Sequence, residues 1–181
     1  MFNADPTTLR KISARMPRVL ILDPHPAAAK LLSDMMRELG AQQVTIHSKT
    51  LRALELVATV EPALIFVEYH GPDFNGPEFT RLLRRSTLGE RRVPVIMCTS
   101  EATVESIKEA RDSGVHEFLR KPFTSKDLYR RVENVLLKPR DWIEAKMYVG
   151  PDRRRFNSGE YVGPKKRTGE KPPEAKATNA A

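Results

Sequence analysis

The chain has 181 residues, carries a formal net charge of +8 and is 40% hydrophobic. This hydrophobic content is enough to bury a core, so the composition excludes a wholly disordered chain. The single cysteine, Cys98, excludes an intramolecular disulfide and a cysteine-based zinc site, and no apolar run reaches the roughly 18 residues of a membrane span. We expect a cytoplasmic protein that does not interact with a membrane.

Unbroken apolar runs of strand length occur at residues 19–22, 63–67 and 95–98, and weaker strand patterns occur at residues 44–46 and 115–119. Between and after them, apolar residues recur at three- and four-residue spacing, most clearly in residues 31–39 and 128–136. Continuous apolar runs are typical of parallel strands covered by helices on both faces. The alternation therefore predicts a doubly wound α/β sheet built from five strand–helix units.

The positive charge is concentrated at the two ends of the chain. Residues 17–138 hold 18 Lys and Arg against 16 Asp and Glu, whereas residues 1–16 hold 3 against 1 and residues 139–181 hold 10 against 6. We divide the chain into an N-terminal extension (1–16), a globular domain (17–138) and a basic tail (139–181). The tail is expected to be largely disordered, above all beyond Val162, where its only apolar residues are alanines. Trp142, Ile143, Met147 and Tyr148, in contrast, are apolar enough to pack back on the domain.

Polar side chains follow four of the predicted strands. Asp23 follows the first strand, Glu68 the third, Thr99 the fourth and Lys121 the fifth. Since the carboxyl ends of parallel strands meet at one edge of the sheet, these side chains are expected to lie close together. Carboxylates, a hydroxyl and an ammonium group are suited to holding a phosphoryl group together with a cation.

These motifs resemble the CheY-like response-regulator receiver domain over residues 18–138. Residues 68–76 (EYHGPDFNG) are similar to the acceptor loop of the family, and residues 121–123 to its Lys-Pro-Phe motif. Thr99 stands at the position of the switch hydroxyl, and Phe118 at that of the switch aromatic. The resemblance implies a flavodoxin-like (βα)₅ fold with strand order 2-1-3-4-5, a cis peptide before Pro122, and a non-enzymatic role in bacterial two-component signalling.

Two positions depart from the family pattern. Glu68 stands where phosphate-accepting receivers have Asp, and Asp23-Pro24 replaces a pair of acids that holds Mg²⁺. We therefore predict a degenerate phosphoacceptor site, held in an active-like arrangement by a contact of Glu68 with Lys121 or with Thr99. We expect no bound metal or other cofactor, because only Asp23, Glu68 and the backbone of His70 remain as ligands.

The leading functional hypothesis is a stand-alone adaptor in a two-component phosphorelay, not phosphorylated in the usual way. The resemblance implies that a histidine kinase or another signalling protein docks on the α4-β5-α5 face of the family, which corresponds to residues 103–137. One alternative is a phosphoacceptor that functions with Glu68. A second alternative is a protein that binds an anionic ligand through its tail.

The tail contains the sequence Tyr-Val-Gly-Pro twice, at residues 148–151 and 161–164, and a basic cluster follows each copy. Arginine can pair with phosphate through two N–H groups and can stack on bases, so cyclic di-GMP and RNA are candidate ligands. The residues proposed for this role are Tyr148, Arg153, Arg154, Arg155, Lys165, Lys166 and Arg167.

Three further interpretations concern residues outside these motifs. The four histidines, among them His25 and His116, share no metal-ligand spacing and are interpreted as loop or surface residues. Arg84 and the arginines near Gly89 are interpreted as a solvated basic surface. Cys98 lies in an apolar run, which is typical of an unreactive core thiol.

Overall fold

The computed structural model describes residues 5–49, 52–71 and 74–154, apart from the side chain of Phe74. In chain order the strands are β1 (Arg18–Leu22), β2 (Gln43–His47), β3 (Leu64–Glu68), β4 (His70–Gly71), β5 (Phe74–Asn75), β6 (Val95–Thr99), β7 (Glu117–Arg120), β8 (Trp142–Ala145) and β9 (Tyr148–Pro151). The α-helices are α1 (Pro6–Arg15), α2 (Pro26–Glu38), α3 (Ala53–Val60), α4 (Gly76–Arg85), α5 (Val104–Ser113) and α6 (Ser125–Leu137), and a 3₁₀ turn covers Gly89–Arg92.

The central sheet is parallel and has the order β2-β1-β3-β6-β7. This is the flavodoxin-like order predicted from the sequence, because the two-residue strands β4 and β5 form a separate ribbon. Strands β3 and β6 are buried along their whole length. One core cluster lies under α1, α2 and α6, and the other under α3, α4 and α5.

The predicted N-terminal extension contains helix α1. Asp5 accepts hydrogen bonds from the backbone N–H groups of Thr7 and Thr8, which caps the helix, and Pro6 occupies its first turn. Ile12 and Met16 are fully buried in the first core cluster, alongside side chains of α6. The first helix is thus packed as part of the domain. In the described parts of the chain, no helix is long and apolar enough to cross a membrane.

The first part of the tail is ordered, in the segment whose apolar residues were expected to be able to pack on the domain. Strands β8 and β9 form an antiparallel hairpin, which we call the C-terminal hairpin. Its Tyr148 is buried, and the Tyr148 hydroxyl donates a hydrogen bond to the Pro151 carbonyl. Residues 142–151 are therefore ordered, and Trp142 and Tyr148 supply apolar surface that packs on the domain. Residues 155–181 lie outside the described part of the chain.

The C-terminal hairpin meets the domain at a close backbone contact with Gly114, which ends α5. Gly114 has φ +95°, a left-handed conformation that favours glycine. A Cβ atom on Gly114 would lie 2.7 Å from the carbonyl oxygen of Val149, and one on Gly150 would lie 2.8 Å from the Gly114 Cα. The two glycines therefore allow the hairpin to approach α5.

Replacing Gly114 with alanine is expected to lower the free energy of unfolding by about 2 kcal/mol. The new Cβ would clash with the Val149 carbonyl oxygen of the hairpin, and alanine is strained in the left-handed backbone conformation. Urea unfolding measures the loss. The matched control is Gly89→Ala, where the new Cβ has no neighbour within 4 Å. Equal stabilities of the two variants would show that the Gly114 contact does not hold the hairpin.

Candidate functional site

Four polar side chains gather at the carboxyl edge of the sheet, as their positions after the strands predict. Glu68 and Thr99 are the last residues of β3 and β6, and Asp23 directly follows β1. Each of these three residues is at most 5% exposed. Lys121 directly follows β7, and its side chain is 20% exposed. Its peptide bond to Pro122 is cis, as the resemblance implies.

Lys121 bridges the two buried carboxylates. Its Nζ lies 2.7 Å from Asp23 Oδ2 and 2.5 Å from Glu68 Oε2. The predicted contact between Glu68 and Lys121 is therefore formed. Burial by itself lowers the pKa of Lys121, but its hydrogen bonds to Asp23 and Glu68 and their negative charges outweigh that effect and raise the pKa above its usual value. The ammonium group thus remains charged between the two acids.

The remaining carboxylate oxygens of the pair also have donors. Asp23 Oδ1 accepts from the backbone N–H of His25 at 2.8 Å, and Glu68 Oε1 accepts from the backbone N–H of Tyr69 at 3.0 Å. All four oxygens therefore accept hydrogen bonds from within the chain. Such saturation fixes the orientation of both carboxylates.

The other predicted partner of Glu68, the Thr99 hydroxyl, bonds elsewhere. Thr99 Oγ1 accepts from the Glu101 N–H at 3.0 Å and lies 3.2 Å from the Glu101 carbonyl oxygen. Lys121, rather than Thr99, is thus the residue that fixes Glu68. Phe118 is half-buried in β7 and packs against the second core cluster.

The loop after β3 folds back closely over Glu68. Gly76 begins α4, and its N–H donates to the Tyr69 carbonyl at 3.0 Å. A Cβ on Gly76 would lie 2.2 Å from the Glu68 carbonyl oxygen, so only glycine fits here without a shift. The glycine of the family-like loop thus has a steric role in positioning Glu68.

Tyr69 connects this loop to α5, a contact that the sequence analysis missed. The Tyr69 hydroxyl donates to Glu109 at 2.7 Å, and Arg81 pairs with the same carboxylate at 3.0 Å. The hydrogen bond to Glu109, together with burial, raises the pKa of Tyr69 to about 12. No spacing rule links residues 40 positions apart, so only the tertiary structure identifies this connection.

His25 joins Asp23 and Glu68 in a group whose ligand atoms lie within 4.8 Å of one another. Interpreting His25 as only a loop residue is therefore incomplete. His70, whose backbone is the expected ligand, lies in the two-residue strand β4. The group fits Mg²⁺ poorly, because Mg²⁺ requires several oxygen ligands and the carboxylate oxygens already accept hydrogen bonds, two of them from Lys121.

The predicted tail ligand residues are only partly described. Tyr148 is buried, and Arg153 covers its ring at 4.5 Å, so Tyr148 is not available as a stacking surface. Arg153 also pairs with Asp112 at 2.7 Å, and Arg154 is exposed. Arg155, Lys165, Lys166 and Arg167 lie outside the described residues.

Arg84 was predicted on a solvated surface, and that interpretation is wrong. It is 1% exposed, and its guanidinium donates to the carbonyl oxygens of Gly114, Arg91 and Val93 at 2.7–2.9 Å. Burial lowers the pKa of Arg84 to about 9, which leaves the group charged at neutral pH. His116 Nδ1 lies 3.2 Å from Arg84 Nη2, and burial lowers the pKa of His116 well below its usual value.

Arg84 and Arg92 also contact the C-terminal hairpin. The Trp142 ring lies under the guanidinium groups of Arg84 and Arg92, whose central carbons are 5.3 and 5.4 Å from the ring centroid.

Cys98 is buried as predicted, and burial raises the pKa of its thiol.

Comparisons with known proteins support the same architecture. A family model described as the response regulator receiver domain matches residues 19–133. The DNA-binding response regulator MtrA of Mycolicibacterium smegmatis is 28% identical over 133 residues, which cover 74% of this chain and 56% of MtrA. Chemotaxis protein CheY-3 of Vibrio cholerae is 25% identical over 118 residues, which cover 65% of this chain and 90% of that protein. The chain thus spans about half the length of the MtrA proteins that it matches.

Solved structures give the same fold. Chemotaxis protein CheY4 of Vibrio cholerae matches with a TM-score of 0.61 at 24% identity, covering 67% of this chain and 99% of that one. The receiver domain of a sensor histidine kinase from Pseudomonas aeruginosa, solved with a magnesium ion in its active site cleft, matches with a TM-score of 0.60 at 24% identity. That match covers 67% of this chain and 98% of that domain.

Proposed function

The chain belongs to the response regulator receiver family of two-component signalling, and we propose that it acts there as a non-enzymatic adaptor that does not accept phosphate at Glu68. The observation that carries this proposal is the bridge from Lys121 to Asp23 and Glu68. The bridge places a positive charge between the two carboxylates at neutral pH. A cation and a free, correctly placed carboxylate oxygen are what phosphoryl transfer requires from the protein.

The side chain at position 68 supports the same conclusion. Glutamate carries its carboxylate one methylene further out than aspartate, and here that length allows Oε2 to reach Lys121 at 2.5 Å. Pro24 supplies no carboxylate at the position where the family pattern has its second acid. We therefore infer that the site needs no Mg²⁺ and that Lys121 supplies the compensating charge.

Treatment with acetyl phosphate and Mg²⁺, followed by intact-mass measurement, tests the proposal. We expect no stoichiometric phosphoryl adduct on the native chain, because the oxygens of Glu68 are occupied and the metal site lacks an acid. The control is the double variant Pro24→Asp/Glu68→Asp, which restores the family pattern and is expected to gain phosphate. A stoichiometric acyl-phosphate on native Glu68 would instead establish the alternative of a phosphoacceptor that functions with glutamate.

For output, we propose that a histidine kinase or another signalling protein docks on the face formed by α5, β7 and α6, the family's α4-β5-α5 face. Val104 and Ile107 on α5 support this, since they are 78% and 45% exposed although apolar. Exposed apolar side chains on one face are typical of protein interaction sites.

The rival function is binding of cyclic di-GMP or RNA by the tail. The buried ring of Tyr148 and the ion pair of Arg153 count against these two residues as ligand contacts. Titrating the full chain with cyclic di-GMP and with a short RNA separates the functions. Saturable binding that survives Arg153→Gln and disappears when residues 155–181 are removed would favour the rival.

A further inference from the structure

Three neighbouring cavities with strongly basic linings lie along the junction between the domain and the C-terminal hairpin, with volumes of about 320, 430 and 470 Å³. The first two share His116, Glu117, Arg131 and Arg140, and the last two share Arg111 and Arg153. We call this surface the arginine groove.

Positive charge dominates the lining of the arginine groove. Besides Lys138, six arginines line it, namely Arg111, Arg130, Arg131, Arg140, Arg153 and Arg154. The acids in the lining are Glu117 and Asp152.

Internal ion pairs offset part of this charge. Glu117 pairs with Arg131, Lys138 pairs with Glu133 at 3.5 Å, and Arg111 and Arg153 share the single carboxylate of Asp112 at 3.1 and 2.7 Å. Each guanidinium has five N–H donors, so one ion pair leaves donors for an anion. The arginine groove therefore offers an excess of charge and donors to a negatively charged ligand.

The apolar part of the lining indicates what kind of anion fits. Ile107 and Phe118 line the middle cavity, and Ile143, which is 38% exposed, lines the cavity beside the hairpin. A ligand that pairs with the arginines thus also meets aliphatic and aromatic side chains. This combination suits a protein segment that carries both carboxylates and apolar side chains.

Single-stranded nucleic acid fits the same groove less well. Such ligands stack their bases on exposed aromatic rings. Trp142 lies under two guanidinium groups, and the Tyr148 ring is buried beneath Arg153. Among the described residues, the half-buried Phe118, the half-buried His116 and the buried Tyr148 are the aromatic residues that line the groove, so none of them is a fully exposed stacking surface.

From this geometry we propose that the arginine groove binds an acidic, amphipathic segment of a partner protein. The proposal rests on the docking function above and specifies the chemistry of the partner. Arg140, Arg153 and Arg154 lie beyond residues 19–133, the part that matches the family model. Arg111, Arg130 and Arg131 lie within that part, so the domain and the segment after it both contribute to the charge of the groove.

Fluorescence anisotropy on the full chain tests the proposal with a short labelled peptide of Asp, Glu, Leu and Phe. A second peptide replaces each acid by its amide, and a single-stranded RNA of equal charge is the third probe. We expect saturable binding of the acidic peptide that weakens with salt, and weaker binding of both other probes.

Two pairs of substitutions make the test specific. Arg111→Gln/Arg153→Gln is expected to weaken binding of the acidic peptide at least about tenfold, since each arginine can form a charge-assisted pair. The control pair, Arg10→Gln/Arg37→Gln, removes equal charge from exposed positions on α1 and α2, outside the groove, and is expected to leave binding unchanged.

Several outcomes would overturn the inference: no binding of the acidic peptide, equal binding of the amide peptide, tighter binding of the RNA, or equal losses in the two variant pairs. None of these outcomes bears on the acetyl phosphate experiment. A failure of the groove proposal is therefore distinguishable from a failure of the proposed phosphate-independent function.

Discussion

Replacing Lys121 with methionine is expected to lower the free energy of unfolding by about 3–5 kcal/mol, the usual cost of removing one partner from a buried ion pair. The substitution leaves Asp23 and Glu68 facing each other, and both are at most 5% exposed. Methionine retains most of the apolar stem of lysine, so the loss of stability reports the missing charge rather than a cavity. Urea unfolding near pH 7 measures this loss of free energy of unfolding.

The control for this prediction is Lys30→Met. Lys30 also makes two short hydrogen bonds to a carboxylate, that of Asp34, but its side chain is 67% exposed. Solvent screens such a pair, so its removal is expected to cost at most about 0.5 kcal/mol. Equal losses from the two substitutions would show that burial of the Lys121 bridge does not matter.

A double variant separates charge from packing. Adding Glu68→Gln to Lys121→Met removes one of the two facing charges and is expected to recover stability relative to Lys121→Met alone. An absence of recovery would assign the loss of stability to the lysine stem.

The native bridge also has a defined pH dependence, because the pKa of Lys121 is raised in the folded protein. Its contribution to the free energy of unfolding is fully present below lysine's ordinary pKa of about 10.4 and is lost as the pH rises through the higher folded value.

Replacing Arg84 with methionine is also expected to cost about 3–5 kcal/mol. Its guanidinium is the donor for the carbonyl oxygens of Gly114, Arg91 and Val93, and an unpaired buried polar group costs about 1–3 kcal/mol. Arg85→Met is the matched control, because Arg85 is the exposed neighbour on α4, and a change within about 0.5 kcal/mol is expected there.

Trp142 provides a second measurement for Arg84. It is the single tryptophan of the chain, and its ring lies 5.3 Å from the Arg84 guanidinium. If Arg84→Met releases the C-terminal hairpin, the emission of Trp142 shifts to longer wavelength in the folded state. If Arg84→Met leaves the emission of Trp142 unchanged and is as stable as Arg85→Met, then Arg84 does not hold the hairpin.

The sheet and the residues at its carboxyl edge could be predicted, because apolar runs and the polar residues that directly follow them are local features of the sequence. The apolar runs of β1, β3 and β6 reflect burial on both faces, and parallel pairing brings the residues after these strands together. Spacing alone could not choose between Lys121 and Thr99 as the partner of Glu68. The choice depends on the Thr99 hydroxyl, which bonds to the backbone of nearby Glu101.

The burial of Arg84 could not be predicted, because its acceptors are the carbonyl oxygens of Arg91 in the Gly89–Arg92 turn, Val93 directly after that turn and Gly114 at the end of α5. Hydrophobic periodicity contains no information about an arginine that is satisfied by distant carbonyls. Helix α1 differs from Arg84 in this respect, since Asp5 followed by Pro6 is a helix start signal that is recognisable in the sequence.

The contact between Gly114 and Gly150 has a practical consequence for where the folded unit ends. The helical sequence pattern stops near Lys138, and the family match stops at residue 133. A fragment cut at either point would lack the strand that closes over the end of α5, and water would reach the Arg84 guanidinium. We therefore expect the cooperatively unfolding unit to include the C-terminal hairpin and to extend at least to Pro151.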